Sequence, residues 1–158
     1  MEIYFLRHAQ AEEANGLMSD ADRQLTERGI RHTRRMTQAL KELDVIPDRL
    51  YSSPLVRAKQ TAEIVAAGLG LHLEIKKELG PGFTLAGLHG LTRDLGMQDQ
   101  VMVVGHEPDF SKVIADFIGG GRIVIKKCGL ARVEVVSFQP LRGELLWLFS
   151  PKIAAHVD

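Results

Sequence analysis

Only one cysteine, Cys128, occurs among the 158 residues. Its isolation excludes an internal disulfide and a cysteine-only metal cluster, and it suits a reducing compartment. Net charge is also missing, because 20 Lys and Arg balance 20 Asp and Glu. Nothing global therefore draws the chain to nucleic acid or to an acidic membrane, and any attraction for phosphate must be local. No apolar run approaches the roughly 18 residues of a membrane span, and the stretch from Ile3 to Leu6 is too short for a signal-peptide core. The chain is accordingly expected to be mature from Met1 and cytoplasmic. Repeats, linkers and low-complexity tracts are absent, so residues 1–158 are read as one domain. There is no Gly-x-x-x-x-Gly-Lys-Ser/Thr loop and no Gly-x-Gly-x-x-Gly after the first strand, which leaves nucleotide-dependent kinases and dehydrogenases without support. Gly119-Gly120-Gly121-Arg122 lacks a following Lys-Ser and reads as a flexible turn. His106-Glu107 opens like a zinc-protease helix, but Pro108 and the phenylalanine at position 110 exclude that reading. Neither a metal nor a cofactor is expected.

What is present alternates between strand-like and helix-like segments. Glu2 to Leu6 is short, apolar and rich in β-formers, and the polar stretch 9–24, with Asn15-Gly16, reads as a loop. Thr26 is placed to cap a helix whose apolar positions Ile30, Met36, Leu40 and Leu43 recur until Pro47. Arg28, Arg31, Arg34 and Arg35, with His32 among them, spread over that helix's exposed faces. Arg49 to Tyr51 gives a brief strand, and Ser53-Pro54 is expected to open a second helix with Ser53 as N-cap, ending near Gly68 or Gly70. Leu71 to Ile75 suggests a third strand, and Leu85 to Leu95 a helix. Val101 to Val104 is a buried parallel strand. Asp109 is expected to cap a helix over Phe110 to Ile118. Ala131 to Phe138 and Glu144 to Phe149 read as a hairpin turning at Leu141-Arg142-Gly143. This order predicts an α/β fold, a three-layer αβα sandwich whose mostly parallel sheet carries an antiparallel strand.

Three strand-like segments end in residues suited to phosphate: Arg7-His8 after the first, Arg57 after the second, and His106 after the Val101 strand. In an open α/β sheet, ligands bind beyond the carboxyl ends of the strands, so these groups can share one crevice. A neutral histidine is a nucleophile toward phosphorus. Flanking guanidinium groups would disfavour imidazolium at His8 while holding phosphoryl oxygens, and His106 can donate another hydrogen bond.

Leu6-Arg7-His8-Ala9, Leu25-Thr26-Glu27-Arg28-Gly29, Ser52-Ser53-Pro54-Leu55-Val56-Arg57-Ala58 with Gln60-Thr61-Ala62, and Val104-Gly105-His106-Glu107-Pro108 stand in order along nearly the whole chain. Together they resemble the histidine phosphatase superfamily, also called phosphoglycerate mutase-like. The short length, Glu78-Leu79 before Pro81-Gly82, and the Gly-His-Glu-Pro form point to its small SixA-type phosphohistidine phosphatase branch. The resemblance implies a metal-independent hydrolase in which His8 becomes phosphorylated and Arg7, Arg57 and His106 form the phosphate pocket. Glu78 stands where many members carry the leaving-group acid, and a solvated loop residue is the other reading of that position. Glu107, followed by Pro108, suits a turn-forming or capping role as well. The implied partner is a protein bearing phosphohistidine, with two alternatives: a small phosphomonoester at the same site, or a module that binds phosphorylated partners without turnover. Only 22 residues, 79–100, separate Glu78 from the Val101 strand, which predicts a shallow, open site.

Overall fold

Strands β1 (Glu2–Arg7), β2 (Arg49–Ser52), β3 (Leu73–Ile75), β4 (Gln100–Gly105), β5 (Leu130–Phe138) and β6 (Leu141–Phe149) form one sheet in the order β3-β2-β4-β1-β5-β6. The computed structural model describes residues 1–157. β1 to β4 pair in parallel, and β5 runs antiparallel to both of its neighbours. The expected three-layer α/β architecture is thus present. Helices α1 (Glu27–Glu42), α2 (Val56–Leu69) and the short α5 (Pro151–Ala154) cover one face, and α3 (Leu85–Thr92) and α4 (Asp109–Ile118) cover the other. No helix among the described residues is long and apolar enough to cross a membrane.

The continuous apolar runs of β1 and β4 follow from this layering, because strands covered on both faces need apolar side chains at every position. Ile3, Phe5, Val101 and Val103 enter the core beneath α3 and α4, while Tyr4, Leu6, Met102 and Val104 enter the one beneath α1 and α2. All eight are fully buried, at about 1.5–3 kcal/mol for each large apolar side chain. Thr26 caps α1 as expected, its hydroxyl accepting the Gly29 N–H at 3.0 Å. Met36 and Leu40 point inward, and the arginines remain outside.

Three local expectations are corrected. α2 starts at Val56 with Leu55 as its N-cap, so Ser53 lies in the preceding turn rather than at the helix boundary. The Ser-Pro helix opening is realised instead at Ser150-Pro151, where Ser150 accepts the Ile153 N–H and starts the unforeseen α5. The hairpin reverses at Gln139-Pro140, so Leu141, Arg142 and Gly143 belong to β6 and pair with Phe138, Ser137 and Val135. A proline has no N–H for the ladder, which moves the reversal onto Pro140.

The start of α1 lies directly against the chain leaving β1. Thr26 donates its backbone N–H to the Gln10 carbonyl at 3.0 Å. A Cβ on Gly29 would stand 2.2 Å from that same oxygen, so position 29 has room for no side chain. Gly29→Ala is expected to cost roughly 1–3 kcal/mol in urea unfolding. Gly90→Ala, on a helix where an added Cβ meets nothing within 4 Å, is expected to be neutral or to stabilise by about 0.5 kcal/mol. Equal effects at the two positions would refute the close-approach argument.

Candidate active site

The site is an extension of the sheet. Arg7 lies opposite Gly105 in the β1–β4 register, and Ser52 opposite Val104 in the β2–β4 register. The ladder continues one step further: His8 donates its N–H to the Gly105 carbonyl and Ser53 to the Val104 carbonyl, both at 3.0 Å. His8, Ser53 and His106 therefore emerge side by side. On the other flank, the Cys128 N–H donates to the His8 carbonyl at 3.1 Å and the Arg7 N–H to the Gly129 carbonyl at 3.0 Å. Gly105 is required beneath them, since a Cβ there would lie 2.7 Å from the Phe110 ring.

The structure brings together His8, Arg57 and His106, which are 8%, 6% and 5% exposed. The His8 and His106 ring centroids are 5.3 Å apart. His8 Nδ1 is 2.7 Å from the Ala9 carbonyl oxygen. A carbonyl only accepts, so Nδ1 carries the proton and Nε2 keeps a lone pair. Arg57 Nε donates toward that Nε2 at 3.3 Å. Two further N–H groups of Arg57 donate to Asp20, one to its carbonyl at 2.8 Å and one to its carboxylate at 3.1 Å. Arg7 donates through Nη1 to the Ile125 carbonyl at 2.8 Å. His106 Nε2 lies 2.7 Å from the Ser53 hydroxyl, which also accepts the Leu55 N–H at 3.2 Å. The hydroxyl has two acceptor lone pairs and one proton, so this contact fits either tautomer of His106; where the hydroxyl donates to Nε2, Nδ1 carries the proton. Arg7 Nε and His106 Nδ1 are the buried side-chain nitrogens left without a partner among the described residues.

Burial holds both histidines neutral. The His8 imidazole is pushed down to about 3, chiefly by desolvation, with His106, Arg57 and Arg7 adding to the effect and the Ala9 carbonyl opposing it. The guanidinium groups, the cause expected from sequence, act in that direction but are secondary to burial. His106 is pushed down to about 4, again by burial first and by Arg57 second, with Asp109 and Asp20 opposing.

Other residues matter that the sequence reading did not single out for the site. The Thr61 hydroxyl accepts the Ala9 N–H at 3.1 Å and donates to the Arg57 carbonyl at 2.7 Å, tying β1's exit to α2. Gln60 accepts the Leu25 N–H at 2.8 Å. Both belong to the Gln-Thr-Ala stretch, whose sequence pattern carries no mechanism by itself. Asp20 had no local signal, because its partner lies 37 positions away. Asp109 does not cap α4; its carboxylate accepts the Gly82 N–H at 2.7 Å and anchors the loop before α3. Glu107 accepts from the Ser111 hydroxyl at 2.7 Å and the Ser111 N–H at 3.4 Å, which is a capping role. Glu78 is exposed in the turn after β3 and makes no hydrogen bond or ion pair among the described residues. Leu79, Phe83 and Leu88 of the short 79–100 stretch are buried in the core with α4. Among the described residues, no group of three or more His, Cys, Asp or Glu is arranged to hold a metal ion.

Residues 3–80 match the family model described as the histidine phosphatase superfamily (branch 1). Phosphohistidine phosphatase SixA of Escherichia coli (strain K12) is 34% identical over 126 residues, covering 76% of this chain and 76% of that protein. A solved structure of the protein histidine phosphatase SixA complexed with tungstate superposes with a TM-score of 0.83 at 29% identity, covering 96% of this chain and 98% of the other. A mycobacterial glucosyl-3-phosphoglycerate phosphatase with inorganic phosphate shares the fold at 17% identity and a TM-score of 0.73, covering 96% and 98%.

The buried histidines couple folding to pH. Both are held below the ordinary 6.5 in the folded chain. As pH falls from about 6.5 toward 4, the unfolded chain takes up protons that the folded chain refuses, so stability falls through that window. The thermal midpoint of wild type is expected to drop more steeply between about pH 7 and 4.5 than that of His8→Asn. Parallel curves would show that His8 is not held neutral.

Proposed function

We propose that this chain, which belongs to the histidine phosphatase superfamily and is a phosphatase, acts on phosphohistidine carried by a protein and does so through covalent phosphorylation of His8. The observation that carries the reading is the pair of unpartnered buried nitrogens, Arg7 Nε and His106 Nδ1. Leaving a buried donor such as Arg7 Nε unsatisfied costs about 1–3 kcal/mol, and an anionic oxygen accepting from it, and from His106 in its Nδ1-protonated form, would remove that cost. Similarity to phosphohistidine phosphatase SixA supports the substrate class. Cys128, lone and buried with its thiol pushed up to about 12 by burial, fits a reducing, cytoplasmic setting.

In this reading Arg7, Arg57 and His106 hold the phosphoryl oxygens, and Arg57 transfers its Nε–H from His8 to one of them. The freed Nε2 lone pair forms a P–N bond as the substrate's P–N bond breaks, and the departing imidazole takes up a proton from solvent water. Water then attacks phosphorus, releasing inorganic phosphate and regenerating neutral His8. The His8 Nδ1–H to Ala9 contact stabilises the positive charge that develops on the ring when Nε2 is phosphorylated. Glu78, as a carboxylic acid, is the group we propose to protonate poorer leaving groups, such as the alkoxide of a small phosphomonoester.

Wild type mixed briefly with phosphoramidate in chelator is expected to gain an acid-labile phosphoryl adduct by intact mass and to release phosphate. His8→Ala is expected to lose the adduct and at least about a thousandfold in turnover. Retained turnover in a folded His8→Ala would overturn the nucleophile assignment. Glu78→Gln is expected to lower kcat on an alkyl phosphate about a hundredfold while sparing phosphohistidine peptide; equal kcat on both would remove Glu78 from the mechanism. A protein that hydrolyses phosphomonoesters but no phosphohistidine peptide would reassign the substrate class with the site intact.

A further inference from the structure

A cleft of about 570 Å³ opens beside Arg7, between α1, the segment before β5, and α5. Its walls carry Arg7, Arg28, Lys126, Lys127 and Lys152 together with His32, and no Asp or Glu. In a chain with 20 basic and 20 acidic side chains, this segregation is a local departure from neutrality. None of the five cations pairs with a carboxylate among the described residues, whereas Arg23, Arg57, Lys76 and Arg132 all do. His32 is held below the ordinary histidine range by partial burial and by Arg28, Arg35 and Arg31, as a positive potential without local compensation requires.

The cleft shares Arg7 with the proposed phosphate pocket. Arg7 lines it and stands next to His8 in the chain. Lys126 and Lys127 lie between Ile125, whose carbonyl accepts from Arg7, and Cys128, whose N–H donates to the His8 carbonyl. Arg28 and His32 are one turn apart on α1 and face the same space. A phosphoryl group held by Arg7 would therefore have the rest of its carrier entering or passing the cationic walls.

We propose that the cleft receives an acidic stretch of a phosphoprotein substrate, carboxylates that flank the phosphorylated residue. This deepens the reading of the chain as a phosphohistidine protein phosphatase and rests on it. With Arg7 engaged by the phosphoryl group, four cations from three segments of chain remain, and their spread suits several carboxylates along an extended segment. Exposed charge pairs contribute little individually and are screened over about 8 Å at physiological salt, so the effect belongs to the set and weakens as salt is raised. Its expected signature is in KM and in association, with kcat left to the phosphate pocket.

The test uses the full chain and a variant carrying Arg28→Glu, Lys127→Glu and Lys152→Glu, none of which belongs to the phosphate pocket. Phosphoramidate turnover is expected to match wild type, which also reports folding; if charge reversal disturbs the fold, the three Gln substitutions replace it. A fluorescein-labelled, unphosphorylated hexaglutamate peptide is expected to bind wild type by anisotropy, in a salt-dependent manner, and to bind the variant at least about tenfold more weakly. Phosphohistidine peptides with Glu flanks are expected to exceed Lys-flanked ones by about tenfold or more in kcat/KM for wild type, through KM, and to lose that preference in the variant. Peptide bound equally by both proteins, or a flank preference unchanged by the substitutions, would overturn the docking proposal while leaving the phosphatase reading in place. Hexaglutamate binding with no turnover of any phosphohistidine peptide would retain an anion-binding cleft and overturn the substrate class on which the docking proposal rests.

Discussion

Parallel pairing of β1 with both β4 and, through β4, β2 is the constraint on which the site depends. The ladder bonds that carry the register past the strand ends, His8 to Gly105 and Ser53 to Val104, are the same bonds that set the two histidines 5.3 Å apart. A slip by one residue would turn His8 toward the opposite face and exchange the two buried apolar sets. Phe5 and Tyr4 cannot trade cores without misfit, so packing far from the pocket enforces the geometry inside it. The fold and the site are in this sense a single packing problem.

Burial solves a second problem. A histidine beside two guanidinium groups must remain neutral to keep a lone pair, and an unperturbed imidazole in water is still partly protonated at neutral pH. Here desolvation is the larger influence, and the charges reinforce it. The same desolvation would leave arginines costly to hold, and carbonyl oxygens of Ile125 and Asp20 offset part of that cost by accepting their N–H groups. Arg57 has in addition the Asp20 carboxylate, whose side chain is 62% exposed, so this pair is solvent-screened and contributes modestly.

Much of this was legible in the sequence because it is written at short range. Uninterrupted apolar runs identified β1 and β4, Thr26 identified the start of α1, and Gly70 in the left-handed region at φ 69° ends α2 near the expected position. The convergence of Arg7, His8, Arg57 and His106 was also legible, since strand ends in a parallel sheet share one edge. What escaped depends on partners distant in the chain. The hydroxyl of Ser53 looks like a helix cap until the β2–β4 register brings His106 to it. Asp20 is one acid in a polar loop until α2 presents Arg57. The cationic cleft takes only Arg28 and His32 from the basic run on α1, and Lys126, Lys127 and Lys152 join them through folding alone.

One hydroxyl group links the two halves of the pocket. Thr61 accepts from the residue after His8 and donates to the carbonyl of Arg57, so the imidazole and the guanidinium beside it hang from a common support. A displacement of α2 against the sheet would stretch the Thr61–Ala9 contact together with the 3.3 Å approach of Arg57 Nε to His8 Nε2. Two groups 49 positions apart in the chain are thus tied to a common side-chain oxygen.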